Sequence, residues 1–220
     1  MNKETLKKWR LFIPGIIIFF LILLGLTNSK EELFAIHKIF KTLEWNDSIY
    51  LGLVFIFGVI YYTLDIRWLV WHPFNAQIQE NIKDKILNIS KLKLLSSQWF
   101  NLKKDRVLMN IFYSFVDNDA SLKEKSKVVM FNGLIWSSFI DLSILSCLAG
   151  LSYSILSIFT SKSHYVILAV ILFCLCFLSL ICTFLLTRRQ KILSNEQLEI
   201  IAQTKKNEIE LKIQEAIDNL

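Results

Sequence analysis

Two apolar stretches, one from about Gly133 to Thr160 and one over Tyr165–Thr187, are separated only by Ser161-Lys162-Ser163-His164. Each is long enough for an α-helix to cross a bilayer, which takes roughly 20 apolar residues. A connection that short lets the second helix return only beside the first, so the pair must be an antiparallel hairpin. Two earlier windows have the same character: Leu11–Thr27, and Ile49 to about Trp71. The chain is 54% hydrophobic with mean hydropathy +0.45, above the roughly 45–50% apolar content of a soluble domain. Two prolines and six glycines leave few turns, and no strand-length alternation recurs. The fold class expected is all-α: a polytopic membrane protein with four transmembrane helices and a helical cytoplasmic region.

Charge sets the direction. Basic residues number four before the first window (Lys3, Lys7, Lys8, Arg10) and three in Asn28–Ser48 (Lys30, Lys38, Lys41). They number ten in His72–Asn132, one in the 161–164 turn and six in 188–220. Lysine and arginine concentrate on the cytoplasmic side of membrane proteins. Four crossings put every heavily basic segment on that side, with both termini cytoplasmic. Trp9, Trp68, Trp71 and Trp136 then gather at the inner boundary and Trp45 at the outer. The leading segment resembles a signal peptide in its basic start and apolar centre. We expect it to remain as a span over about 9–27, with Pro14 in the first turn, where a missing N–H costs least. The resulting division is 1–71 for the first transmembrane pair, 72–132 for a cytoplasmic insertion, 133–187 for the second hairpin and 188–220 for a C-terminal helix.

In the insertion, Pro73 is expected to open a helix. Ile78, Ile82, Ile86 and Ile89 form one apolar stripe, and Leu108, Ile111, Phe112 and Phe115 another. Ser121-Leu122-Lys123-Glu124 has the spacing of a capping box leading into the third span, and Ser194–Gln197 repeats it in the tail. Ile209, Ile213, Ile217 and Leu220 form a last stripe, which needs either the insertion or a neighbouring subunit to cover it. Lys83, Lys85, Lys91, Lys93, Lys103, Lys104 and Arg106 fall in one region of the insertion. They read either as a surface facing an anionic leaflet or as a pocket for a nucleotide or single-stranded nucleic acid. In the second case Trp99, Phe100, Phe112 and Tyr113 would supply stacking partners.

Catalytic signatures are missing: there is no H-E-x-x-H, G-x-S-x-G or phosphate-cradling glycine loop. His37, His72 and His164 fall in different loops. Asp117, Asp119 and Ser121 begin like a calcium loop, but the sixth and twelfth positions lack the required glycine and glutamate. Cys147, Cys174, Cys176 and Cys182 all lie in apolar spans and read as small core residues. No enzyme, cofactor or metal is expected.

Ionisable residues inside a membrane are functional candidates by default. Three occur here: Asp65, Arg67 and Asp141, all near the inner ends of antiparallel spans two and three. Arg67 and Asp141 could pair, with Asp65 reaching the interface. Alternatively, Asp141 or Asp65 from several subunits could ring an inner pore mouth and select cations. At 100° per residue, Ser143, Ser146, Gly150, Ser154 and Ser157 share an arc of about 80°, a groove of small residues suited to close helix packing. Asp141 lies opposite, with Ser137, Ser138 and Ser152 on its half of the helix. Cys176, Ser179 and Thr183 on span four offer a partner for the groove.

This layout, with four spans, a short last hairpin, a basic helical insertion and a charged helical tail, resembles small multi-span membrane proteins of bacterial anti-phage defence operons. It is similar to the Hailong-type channel effector and to the Kiwa-type membrane sensor, and its final hairpin to the two-span SLATT effectors. The resemblance implies a homo-oligomer, a tetramer by analogy, in the bacterial inner membrane. It also implies an antiviral ion-channel or pore effector gated by its basic cytoplasmic region through a nucleotide or oligonucleotide signal. The alternative it implies is a non-conducting sensor or scaffold that recruits a cytosolic partner protein. A third reading, a lipid-modifying enzyme, would need a further polar group converging with Asp65 and Asp141.

Overall fold

The computed structural model describes residues 3–25, 48–92, 95–104 and 106–218. The expected outer loop, with His37 and Trp45, lies outside the described residues, as do Lys93 and Leu220. Every described element is an α-helix: α1 (Lys3–Gly25), α2 (Ser48–Thr63), α3 (Arg67–Ser90), α4 (Ser96–Lys104), α5 (Val107–Asn118), α6 (Ala120–Thr160), α7 (Ser163–Thr204) and α8 (Lys206–Asp218). Three of them, α1, α6 and α7, are long and apolar enough to cross a membrane, and the bent pair α2 and α3 makes a fourth if it counts as one span. Val170, Phe177, Leu178 and Phe184 stand exposed along α7. Soluble proteins rarely expose apolar surface so continuously, and this surface is compatible with a multi-pass membrane protein.

The second window is not one straight helix. It bends by 63° between α2 and α3. Asp65 takes a left-handed backbone, φ 47°, a conformation that aspartate tolerates better than most side chains. The chain tightens there: the Asp65 N–H donates to the Tyr62 carbonyl at 3.3 Å, and the Trp68 N–H to the Asp65 carbonyl at 3.0 Å. Asp65 and Arg67 therefore do not sit 200° apart on a continuous helix, as a straight span would require. Arg67 is instead the first residue of α3. Pro73 falls inside α3 and does not open it.

The chain divides into two compact units. The apolar unit comprises Asn2–Trp71 and Leu134–Phe184, with Leu21, Tyr61, Leu145, Tyr153, Leu168 and Leu172 in its buried cluster. Its tightest crossing joins α1 to α2. A Cβ on Gly15 would overlap the Val54 carbonyl oxygen, and a Cβ on Gly58 would overlap the Leu11 carbonyl oxygen. The Tyr153 hydroxyl donates to the Leu21 carbonyl at 2.5 Å and fastens α6 to the last turns of α1.

The basic unit comprises His72–Gly133 and Leu185–Leu220. Ile78, Ile82 and Ile86 of α3 are buried, as are Leu108, Ile111, Phe112 and Phe115 of α5. Ile209 and Ile213 of α8 are buried too, and Lys212 Nζ donates to Ser114 Oγ of α5 at 2.8 Å. The insertion thus reaches the tail helix within one chain, with Ile209 and Ile213 of the stripe buried and Ile217 half-buried. The expected capping boxes are replaced. Asp119 caps α6, its Oδ1 accepting from the N–H of Ser121 at 2.8 Å and of Leu122 at 3.1 Å, while Ser121 lies inside the first turn. Ser194 is interior to α7 and donates to the Gln190 carbonyl four residues back at 2.9 Å. Both α6, with 41 residues, and α7, with 42, contribute to both units.

Candidate functional site

The break after α2 turns the start of α3 toward α6, and this brings Arg67 to Asp141. Arg67 Nε donates to Asp141 Oδ1 at 2.7 Å and Nη2 to Oδ2 at 2.6 Å. A two-pronged guanidinium–carboxylate pair of this kind fixes orientation as well as charge. The Tyr61 hydroxyl, near the end of α2, adds a third bond to Oδ1 at 3.0 Å. Asp141 is 1% exposed. Arg67 Nη2 also donates to the Arg10 carbonyl of α1 at 3.2 Å, so α2 and α3 meet on the Asp141 carboxylate and α1 is tied in through Arg67. The Nε of Arg10 itself is buried with no hydrogen-bond partner among the described residues. The cluster holds two cations and one anion. Trp71, four residues after Arg67, and Trp136, five before Asp141, pack on each other with ring centroids 6.2 Å apart.

The remaining intramembrane candidates divide differently. Asp65 is exposed at the break and takes no part in the bonds to Asp141. Ser137 is buried, but its hydroxyl donates to the Leu134 carbonyl at 2.9 Å. Ser138 and Ser152 likewise bond to their own helix. Among the described residues, the half of α6 that carries Asp141 therefore offers that carboxylate, bonded to Arg67 and Tyr61, while Ser137, Ser138 and Ser152 are spent on their own helix. On the opposite side, Ser143, Ser146 and Gly150 are buried, while Ser154 and Ser157 are half-buried. Ser143, Ser154 and Ser157 donate to carbonyls three or four residues back, the usual way a helix satisfies serine in apolar surroundings. Ser146 Oγ is buried without a partner among the described residues. Gly150 faces α7, where a Cβ would meet the Phe173 ring at 3.2 Å. Ser179 and Thr183 of α7 are buried and also bond to their own helix.

The basic cluster of the insertion is less available than its composition implies. Lys83 is 8% exposed, and its ammonium donates to the Lys103 carbonyl at the end of α4. Lys103 pairs with Asp84 and, at 3.4 Å, with Glu80, and it sits 5.3 Å from the Trp99 ring centre. The hydrogen bond to Asp84 holds its pKa above the ordinary lysine value. Phe112 is buried in the core of the unit and Trp99 already carries Lys103, so two of the four proposed stacking rings are taken. Lys91, Lys104 and Arg106 are exposed and Lys85 is half-buried.

Sequence reasoning overlooked Tyr61 and Arg10. The signal for Arg10 was present: a basic residue at the start of one apolar helix faces the end of the next when the two are antiparallel. Tyr61 gave no comparable signal, since tyrosine is common near membrane boundaries. Comparison with known protein families, with characterised proteins and with solved structures finds no match to this chain.

Proposed function

We propose that this chain is an oligomeric membrane effector of bacterial anti-phage defence that conducts ions on a signal received by its basic unit, with the Arg67–Asp141 pair holding the resting state. The observation that carries the reading is where the two partners sit. Arg67 opens α3, whose later turns belong to the basic unit, and Asp141 lies on α6, whose first turns belong to it as well. On this reading a ligand that shifts α3 or α6 loosens the pair, because each of these helices carries one partner. On this reading the basic unit lies in the cytoplasm, following its lysine and arginine excess. The ligand is a nucleotide or oligonucleotide held by Lys85, Lys91, Lys104 and Arg106.

The test is ion flux in proteoliposomes, with membrane depolarisation on expression as its cellular counterpart. Asp141→Asn weakens the pair and should raise the basal flux. Ser146→Leu should reduce the flux by disturbing the packing of α6 on α7. Flux unchanged in both variants would sink the assignment of α6 to the conducting path.

A second reading, a non-conducting scaffold that recruits a cytosolic protein, is favoured by one observation. Leu95, Phe100, Tyr113 and Leu211 of the basic unit are more than half exposed. Pull-down with Phe100→Asp and Leu211→Asp separates the two: lost partner binding without any current supports the scaffold.

A further inference from the structure

Among the described residues the polar cluster holds two guanidiniums and one carboxylate, and an apolar groove lined by Phe12 and Leu142 lies one or two residues along the chain from Arg10 and Asp141. Arg67 is matched by Asp141, but no acceptor among the described residues meets the buried Nε of Arg10. A guanidinium in apolar surroundings is costly unless an anion compensates it. Along α1, Arg10 shares a helical stripe with Ile17, Leu21 and Leu24 at spacings of seven, four and three. These three residues line a groove of about 500 Å³ closed on its other sides by residues such as Val54, Leu142 and Leu172. Leu142 follows Asp141 directly, so the groove starts at the depth of the ion pair. Trp9 and Trp68, 48% and 50% exposed, flank the same end, and tryptophan favours the headgroup level of a bilayer.

We infer that this is a binding site for one anionic phospholipid, its phosphodiester on the Arg10 guanidinium and one acyl chain along the groove. Arginine suits this role because its planar donors match phosphate oxygens. The Arg67–Asp141 pair keeps the second guanidinium engaged, so the phosphate is held by Arg10. The site requires that the chain lie in a bilayer and requires nothing about conduction.

Native mass spectrometry of the purified full chain in detergent tests it, with phosphatidylglycerol, phosphatidylcholine or inorganic phosphate added. The expected result is retained phosphatidylglycerol in preference to phosphatidylcholine. Arg10→Gln should weaken retention about fivefold, the weight of one arginine contact with an anionic lipid. Arg10→Lys should restore part of it, and Lys7→Gln should leave it unchanged. Circular dichroism matching the parent shows that Arg10→Gln still folds; if that variant fails to fold, Ile17→Trp, which fills the groove, must lower retention. The inference is overturned if folded Arg10→Gln, or in its place Ile17→Trp, retains lipid like the parent, or if the two lipids are held alike. It is also overturned if inorganic phosphate displaces the lipid, which would make the site one for a free anion. Loss of oligomer with unchanged lipid retention in Arg10→Gln would assign Arg10 to a protein contact instead.

Discussion

Gly15 and Gly58 each stand where α1 and α2 leave no room for a side chain: a Cβ on Gly15 would lie 3.0 Å from the Gly58 N and overlap the Val54 carbonyl. This reciprocal approach draws the two helices to backbone contact, where Cα–H···O contacts and dispersion replace side-chain packing. Gly15→Ala or Gly58→Ala must push the helices apart, at a cost of about 1–3 kcal/mol for overpacking. Gly52→Ala, on the same helix with nothing within 4 Å of the added methyl, should be neutral or slightly stabilising. Unfolding by denaturing detergent, read by tryptophan fluorescence, compares the three.

The Arg67–Asp141 pair should behave as a unit. Removing one partner leaves a buried charge unmatched, which costs about 3–5 kcal/mol, whereas replacing both by apolar residues costs far less. Arg67→Leu and Asp141→Leu should each destabilise the chain strongly, and the double variant should recover most of the loss. Tyr61→Phe, which removes one of three bonds to the carboxylate, should cost about 1–3 kcal/mol, as for a hydrogen bond to a charged group. A double-mutant cycle in the same assay measures the coupling. Additive effects would mean that the pair carries no joint energy.

What could be read from the sequence followed from burial and period. Apolar windows marked α1, α6 and α7, and the stripes at Ile78–Ile86 and Leu108–Phe115 marked buried faces of α3 and α5. Three ionisable residues near the inner span ends were enough to raise an Arg67–Asp141 pair as one alternative. The break at Asp65 was not legible, because window hydropathy is blind to a single left-handed residue and no glycine or proline marks the position. For the serines, a helical wheel sorts side chains by direction, and Ser143, Ser146 and Gly150 are buried as a packing groove needs, but the wheel does not reveal that most of the hydroxyls bond back to their own helix. The tightest helix contact was missed because Gly15 and Gly58 lie on different helices, outside any single-helix small-residue pattern.

Asp119 should give the start of α6 a pH dependence. The Ser121 hydroxyl and then the Leu122 N–H bond to its carboxylate and hold it below its ordinary value of 3.8. A carboxylate with a depressed folded pKa contributes stability that is present above its unfolded value and lost as pH falls through the folded one. The difference between the parent and Asp119→Ala should therefore be constant near neutrality and shrink only below about pH 4. Asp119→Asn, which still caps but does not ionise, should lie close to the parent and show less pH dependence. Hydrogen exchange at the Ser121 and Leu122 amides reads the cap directly.

The C-terminal stripe separates folding from partner binding. Ile213 is fully buried, whereas Leu211, two residues earlier on α8, is 64% exposed. Ile213→Ala should cost about 2–5 kcal/mol, the range for emptying a packed aliphatic site, and should release α8 from α5. Protease sensitivity beyond Thr204 would report that release, together with loss of the Lys212–Ser114 bond. Leu211→Ala should change neither stability nor proteolysis, since surface substitutions usually stay within about 0.5 kcal/mol. A partner protein that needs α8 would respond in the opposite way, losing affinity with Leu211→Asp while the fold stays intact. If Ile213→Ala is silent and Leu211→Ala destabilises the chain, α8 packs through its other face, and the stripe is left free for a neighbouring subunit.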